Sequence, residues 1–305
     1  MPIIIPKDLP AFDRLAGENI FVMTQARAIS QDIRPIEIAI VNLMPTKVET
    51  ETQLMRLLAN TPLQVNITLI NTATYTSKNT STSHLTKFYK SIEEAKNCNY
   101  DGMIITGAPV ETMPFEEVQY WDELKQIMDF ADRKVTSTIF ICWGAQAGLY
   151  HHYGIDKTGL KEKLFGVFPT YSVGGKDPLL RGMDDIFYIP HSRHTTVRDE
   201  DIENCKDLEV LARSDEAGIS IVKSKDDKKI FLFGHSEYDN DTLEGEYLRD
   251  LSKGLDIKKP INYYSSVNNS VIDVKWRSTA NLFYYNWLNY YVYQVTPYNF
   301  NGNNG

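Results

Sequence analysis

Cys142 closes an apolar run, Thr138-Ile139-Phe140-Ile141, and is followed at once by Trp143-Gly144-Ala145-Gln146-Ala147-Gly148. The change of period predicts a strand, a sharp turn and a helix, with the thiol at the tip of the turn. The first N–H groups of a helix point back at such a side chain, which favours a thiolate and a neighbouring oxyanion. A buried, inert cysteine at a strand end is the plain alternative, because free cysteine is among the most buried residue types. A second apolar run, Lys229-Ile230-Phe231-Leu232-Phe233, ends in Gly234-His235-Ser236-Glu237. A strand period of two puts His235 and Glu237 on one side of the chain. The carboxylate can then hold one imidazole nitrogen while the other faces a nucleophile, the division of labour of a catalytic triad. A surface histidine beside a surface glutamate has the same spacing. The two strand ends taken together point to Cys142, His235 and Glu237 as nucleophile, base and orienting carboxylate.

For these residues to meet, their strands must end at one edge of a sheet. Residues 36 to 43 read as a buried strand, followed after Pro45 by a helix with Leu54, Leu57 and Leu58 on one face. Leu63 to Ile70 and Gly102 to Thr106 read as further strands, the latter closing in Gly107-Ala108-Pro109. From Pro114 to Arg133, Phe115, Val118, Trp121, Leu124, Ile127 and Met128 recur at helical spacing. Strands alternating with helices imply right-handed crossovers and an α/β fold, a mostly parallel sheet flanked by helices with sites at its carboxyl edge.

The second half is less regular. Residues 163 to 197 read as short strands mixed with Gly and Pro turns. Leu208 to Arg213, Gly218 to Val222 and Lys229 to Phe233 read as a meander with a charged hairpin at Lys225-Asp226-Asp227-Lys228. Helical spacing returns from Asp241 to Leu255 and from Trp276 to Val292. The latter stretch carries Tyr284, Tyr285, Trp287, Tyr290 and Tyr291, an aromatic band suited to packing on the sheet or on a second subunit. Residues 1–35 read as an N-terminal arm, 36–298 as one domain with a C-terminal helical extension, and 299–305 as a disordered Asn- and Gly-rich tail.

Composition narrows the function. At 305 residues and 42% hydrophobic, the chain can bury a large core. A net charge of −8 without a basic stripe argues against nucleic acid as a partner. Cys98, Cys142 and Cys205 are too few for a disulfide framework, which suits a reducing cytoplasm. Prolines at positions 2 and 6 disfavour a signal helix, and no apolar run approaches the roughly 18 residues of a membrane span. His191-x-x-His194 and His151-His152 lack the carboxylate or thiolate company of a metal site. Gly174-Gly175-Lys176-Asp177 lacks the spacing of a phosphate loop. A homodimer is expected, with the arm and the tyrosine-rich helix as candidate surfaces.

The Cys142-Trp143-Gly144-Ala145-Gln146 elbow, the Gly107-Ala108-Pro109 loop and His235-Ser236-Glu237 resemble the MetA-type homoserine O-acyltransferases, which have a class I glutamine amidotransferase-like (flavodoxin-like) fold. The resemblance runs through nearly the whole chain. It takes in Gln31-Asp32-Ile33-Arg34-Pro35, Asn42-Leu43-Met44-Pro45, Ile189-Pro190-His191-Ser192-Arg193 and the stretch from Trp276-Arg277-Ser278 to Asn286-Trp287-Leu288-Asn289-Tyr290-Tyr291. Glutamine amidotransferases usually place glycine two positions before the nucleophile; Phe140 stands there in this chain.

The resemblance implies a ping-pong acyl transfer in methionine biosynthesis, from acyl-CoA to Cys142 and then to the hydroxyl of L-homoserine, with no cofactor beyond the acyl-CoA co-substrate. By analogy with the amidotransferase fold, the backbone N–H groups of Trp143 and Ala108 are the oxyanion donors. Family residues that bind substrate match Lys163, Ser192 and Arg249. On sequence alone, Arg249 also fits a solvated helix face, and the loop at Ala108 an ordinary proline turn. Glu111 stands where, in this family, glycine goes with succinyl-CoA and glutamate with acetyl-CoA, so acetyl-CoA is the expected donor. Three alternatives are a succinyl-CoA-dependent enzyme, a glutamine-hydrolysing cysteine enzyme on the same fold, and a catalytically silent flavodoxin-like binding module.

Overall fold

β-branched and aliphatic runs form the strands, and amphipathic stretches between them form the helices. The computed structural model describes residues 3–18, 20–29, 34–74, 79–173, 175–268 and 270–296. The expected tail at 299–305, Gln31-Asp32-Ile33 and Gly174 lie outside them. The chain opens with β1 (Ile3–Ile4), α1 (Pro10–Gly17), β2 (Val22–Met23) and α2 (Gln25–Ile29). Next come β3 (Ile36–Val41), α3 (Lys47–Leu58), β4 (Val65–Ile70), α4 (Thr82–Phe88), β5 (Tyr89–Lys90) and α5 (Ile92–Ala95). β6 (Gly102–Ile105), α6 (Trp121–Lys134), β7 (Ser137–Ile141) and α7 (Trp143–Tyr153) complete the alternation. β8 (Lys157–Ser172), β9 (Ile186–Val197), α8 (Asp199–Glu203), β10 (Leu208–Ser214), β11 (Gly218–Ser224) and β12 (Lys229–Leu232) follow. The last helices are α9 (Thr242–Ser252) and α10 (Arg277–Asn286), the latter running on as a wider π-helical stretch over Trp287–Tyr293.

The strands form one sheet in the order β2-β1-β4-β3-β6-β7-β12-β11-β10-β8-β9, with β5 paired to β4. Pairing is parallel from β2 as far as β12 and antiparallel from β12 to β9. The expected mostly parallel sheet flanked by helices is therefore present. The segment before Ile36 belongs to it, since β1 and β2 extend the sheet beyond β4 while Leu9, Ala11 and Leu15 bury against the core. No helix among the described residues is long and apolar enough to cross a membrane.

Two stretches differ from the sequence-based expectation. Residues 163–197 form most of one long antiparallel hairpin, β8 with β9, in place of several short strands. Period-two patterning is broken there by a register shift between Gly159 and Leu164 and by Pro169 and Pro190, which the ladder accommodates. Gly166 also interrupts the pattern because Ile261 pairs against it; a Cβ at this position would lie 2.4 Å from the Ile261 carbonyl oxygen. The third strand of the expected meander has a second partner. β12 pairs antiparallel with β11 on one side and parallel with β7 on the other, Leu232 opposite Ile141.

Alternation fills both faces of the central strands. Ile38, Ile40, Ile139 and Ile141 pack with Leu54 and Leu58 of α3 and with Phe283, Tyr284 and Trp287, while Ala39, Val41, Phe140 and Phe231 pack with Leu124, Ile127 and Met128 of α6. The tyrosine-rich helix is thus core on one face: Tyr284, Trp287 and Tyr291 are buried within the chain. Trp287 donates from Nε1 to Ser137 Oγ at 3.0 Å and fills the space above Gly102. Trp287→Ala is expected to lower unfolding free energy by about 3 to 5 kcal/mol, since it opens a cavity and leaves a buried hydroxyl without its donor. Urea denaturation of both proteins measures the difference, and a loss under about 1 kcal/mol contradicts this account.

Candidate active site

Cys142 follows β7 directly and precedes the first residue of α7, so strand becomes helix across one residue. Its φ of 51° and ψ of −113° put a non-glycine residue in a strained region, of order 1 to 3 kcal/mol, which persists only where the surroundings impose it. They do. Cys142 N–H donates to the Leu232 carbonyl at 2.7 Å, and Gly144 lies so close to the end of β6 that a Cβ would sit 2.6 Å from the Thr106 carbonyl oxygen. As the first residue of α7, Trp143 carries an N–H that the helix itself does not use. The expected nucleophile elbow is built as the residue pattern predicts.

The register of β7 and β12 delivers the second group. Leu232 lies opposite Ile141, so the chain emerging from β12 reaches His235 beside the residue that follows Ile141. A Cβ on Gly107 would be 3.4 Å from both Cys142 Cβ and His235 Cε1, which places thiol, imidazole and the Gly107-Ala108 backbone around one point. His235 Nδ1 is 2.6 Å from Glu237 Oε1, and both residues are buried. The second Glu237 oxygen is buried with no hydrogen-bond partner among the described residues, so the carboxylate is committed to the imidazole. Burial alone would depress the His235 pKa. The charges of Cys142 and Glu237, with hydrogen bonds to both, outweigh it and hold the ring well above the ordinary histidine value.

The site opens into a cleft of about 690 Å³ lined by residues from distant parts of the chain, among them Cys142, His235, Ala108, Glu111, Lys163, Ser192 and Arg249. Trp143 is not among its lining residues, its ring being buried against Phe115 and Tyr120; its N–H follows Cys142 directly in the chain. Glu237 sits behind His235 and lines a separate cavity with Gln53, Arg56 and Trp276. Lys163 lies 3.1 Å from Asp250 and 3.6 Å from Glu246. Ser192 Oγ donates to Glu246, and Arg249 donates through Nε and Nη2 to Asp250 at 2.8 Å. Glu111 Oε2 accepts from the His194 N–H at 2.8 Å.

Sequence reasoning missed several members of this assembly. The Tyr238 ring stacks on His235 at 4.2 Å and 15°, while its hydroxyl donates to Glu246 at 2.7 Å. Glu246 thus collects Tyr238, Ser192 and Lys163 on one carboxylate. Its helical spacing from Arg249 and Asp250 was the available signal, one face of α9 turned to the cleft. Tyr238, three residues after the histidine, carried none. His191 is fully buried against Phe168, where desolvation and the neighbouring Arg193 depress its pKa well below the ordinary value. His151 pairs with Asp129 at 2.8 Å on the far end of α7. His191 is thus absorbed in packing and His151 in an ion pair, while His194 lines the cleft.

The homoserine O-succinyltransferase family model matches residues 2–298. A relative from Ilyobacter polytropus, named homoserine O-acetyltransferase 1, is 58% identical over 98% of this chain and 99% of its own length. Homoserine O-acetyltransferase of Acetivibrio thermocellus is 58% identical over 99% of both chains, and that of Petrotoga mobilis 54% identical over 98% of this chain and 97% of its own. Among solved structures, a glutamine amidotransferase of Thermotoga maritima superposes with a TM-score of 0.55 at 11% identity, covering 84% of this chain and 97% of that one. At that identity the likeness speaks to fold, the expected glutamine amidotransferase-like α/β architecture. The family match, spanning nearly the whole sequence, shows that the chain belongs to the homoserine O-succinyltransferase family.

Proposed function

We propose that this chain transfers an acetyl group from acetyl-CoA to the hydroxyl of L-homoserine through a thioester on Cys142. The observation that carries the reading is Cys142 beside His235, itself hydrogen-bonded to Glu237, at the end of a parallel strand pair, open to a cleft with charges of both signs. In the first half-reaction the Cys142 sulfur attacks the thioester carbonyl, and the oxyanion accepts from the N–H groups of Trp143 and Ala108, each worth about 3 to 4 kcal/mol to the transition state. The C–S bond to CoA breaks, and His235 returns a proton to the leaving sulfur. In the second, the homoserine hydroxyl gives its proton to His235 and attacks the acyl carbon, and the Cys142 sulfur departs. Exchange of one thioester for another is nearly balanced in energy, so the enzyme holds the acetyl group without a deep trap.

Homoserine is a zwitterion, and the cleft offers it cations at Lys163 and Arg249 and carboxylates at Glu246 and Asp250. Arg249 is half exposed and, among the described residues, its guanidinium pairs with its chain neighbour Asp250, so it can turn to a substrate carboxylate with little loss. Ser192, bonded to Glu246, lines the same space. The donor follows from Glu111: its carboxylate stands on the cleft wall beyond Ala108 and Pro109, where it fills room and repels the terminal carboxylate of a succinyl group. Free thiols at Cys98, Cys142 and Cys205 suit a cytoplasmic enzyme acting on small molecules. A homodimer formed through the tyrosine-rich helix would use its outer edge, Tyr285, Tyr290 and Tyr293, because the inner face is occupied.

Intact mass after mixing the enzyme with acetyl-CoA alone is expected to show one acetyl group, absent in Cys142→Ala and lost on adding homoserine; an unmodified mass on rapid quench, or glutaminase activity in its place, defeats the reading. Glu111→Gly is expected to raise kcat/KM for succinyl-CoA relative to acetyl-CoA, and a wild-type enzyme preferring succinyl-CoA contradicts the donor assignment. Glu237→Gln removes one of the charges that hold the imidazole protonated, so the pH at which His235 loses its proton moves down. Proton NMR of the ring follows this directly, with kcat falling up to about 10⁴-fold but by less than in Cys142→Ala. An unmoved His235 titration shows that Glu237 is not its electrostatic partner.

A further inference from the structure

Among the described residues the closest hydrogen bond to Glu111 comes from the His194 N–H, and the next residue, Thr195, is gripped from behind by two buried side chains. The residues of β9 alternate: Ser192 and His194 face the cleft, while Arg193 and Thr195 face inward. Arg193, only 1% exposed, donates from Nη1 to the Thr195 carbonyl at 2.9 Å and from Nη2 to the Ala217 carbonyl at 2.8 Å. Gln146, fully buried, grips the same residue twice. Its amide nitrogen donates to the Thr195 carbonyl at 3.2 Å, and its amide oxygen accepts from the Thr195 hydroxyl at 2.8 Å. Gln146 N–H in turn donates to the Cys142 carbonyl at 3.2 Å, one helical turn from the sulfur. The Thr195 hydroxyl also lies 3.4 Å from Glu111 Oε2.

We propose that Thr195, clamped by Gln146 and Arg193, is a positioning residue for Glu111 and thereby sets which acyl chain the enzyme accepts. A buried guanidinium bonded to carbonyl oxygens, and a buried amide spent on one residue, are expensive ways to pack an interior. They do here what apolar side chains cannot: fix the Thr195 carbonyl and hydroxyl, one residue on from the His194 N–H, relative to the elbow. A carboxylate at the end of a two-carbon stem excludes a succinyl group only if it stays where the succinyl terminus would go. Lys157, close enough for its charge to be felt by Glu111, offers the carboxylate a different partner once the clamp loosens.

The inference rests on the Glu111 reading, so both are tested together in the full-length enzyme with homoserine and each acyl-CoA. Thr195→Val keeps the β-branched shape and the backbone carbonyl while removing the hydroxyl. It is expected to raise the succinyl-CoA to acetyl-CoA ratio of kcat/KM at least fivefold, and Thr195→Ser to return it within twofold of wild type. If Glu111→Gly shifts the ratio but Thr195→Val does not, the clamp plays no part in selection and the Glu111 reading stands. A parallel fall of both activities in Thr195→Val likewise reduces Thr195 to a structural role. If Glu111→Gly leaves the ratio unmoved, both fall.

Discussion

Everything chemical in this molecule depends on β12 lying parallel to β7. The two strands are separated by nearly ninety residues of sequence that include the whole β8–β9 hairpin. Only their pairing, with Leu232 opposite Ile141, brings an imidazole to a thiol. The ladder is buried on both faces, Ile139 and Ile141 on one side and Phe140 and Phe231 on the other. Because neighbouring side chains alternate across the sheet, a slip of one residue would turn each of these to the opposite face. The same burial that stabilises the sheet therefore sets the catalytic distance. The backbone bond from Cys142 N–H to the Leu232 carbonyl carries the pairing one residue past the strand, into the elbow.

Strain and buried charge are concentrated where that register ends. Cys142 has a positive φ, with Gly144 admitting the helix start against the end of β6. His235 and Glu237 are buried as a hydrogen-bonded pair with negative charge at Cys142 raising the pKa of the ring. Burying these groups opposes folding, and the two apolar layers around them, including the fully buried Trp143 and Trp287, offset it. Preorganisation of this kind is what a nucleophile, a base and an oxyanion site require, since groups already oriented need no rearrangement as the reaction proceeds.

The cleft has a division of labour along its length. At one end Glu246 and Asp250 of α9 hold Lys163 and Ser192 of the long hairpin, an arrangement of opposite charges suited to a small zwitterion. At the other, Glu111 stands against His194 on the wall that Ala108 and Pro109 also line. Both ends are anchored to the same β8–β9 hairpin, and the nucleophile lies between them on the central sheet. The groups proposed to select acceptor and donor are thus anchored on one secondary element that the parallel half of the fold does not contain.

The chain's own residues determined the parts whose signals are local. The apolar run ending in Cys142, the small residues after it and the His-x-Glu at a second strand end were enough to name the triad, because strand and helix periods differ and turns need particular residues. The alternating elements of the first half were readable for the same reason. The long hairpin was not, since Gly166, Pro169 and Pro190 break the period locally while the tertiary pairing tolerates them. Nor did sequence reveal Tyr238 stacked on His235, Glu246 collecting three partners, or Arg193 and Gln146 closing on Thr195. Those contacts join residues as near in sequence as Arg193 and Thr195 and as far apart as Ser192 and Glu246, chosen by how helices and strands pack. No local pattern encodes a distance that exists only once the sheet has formed.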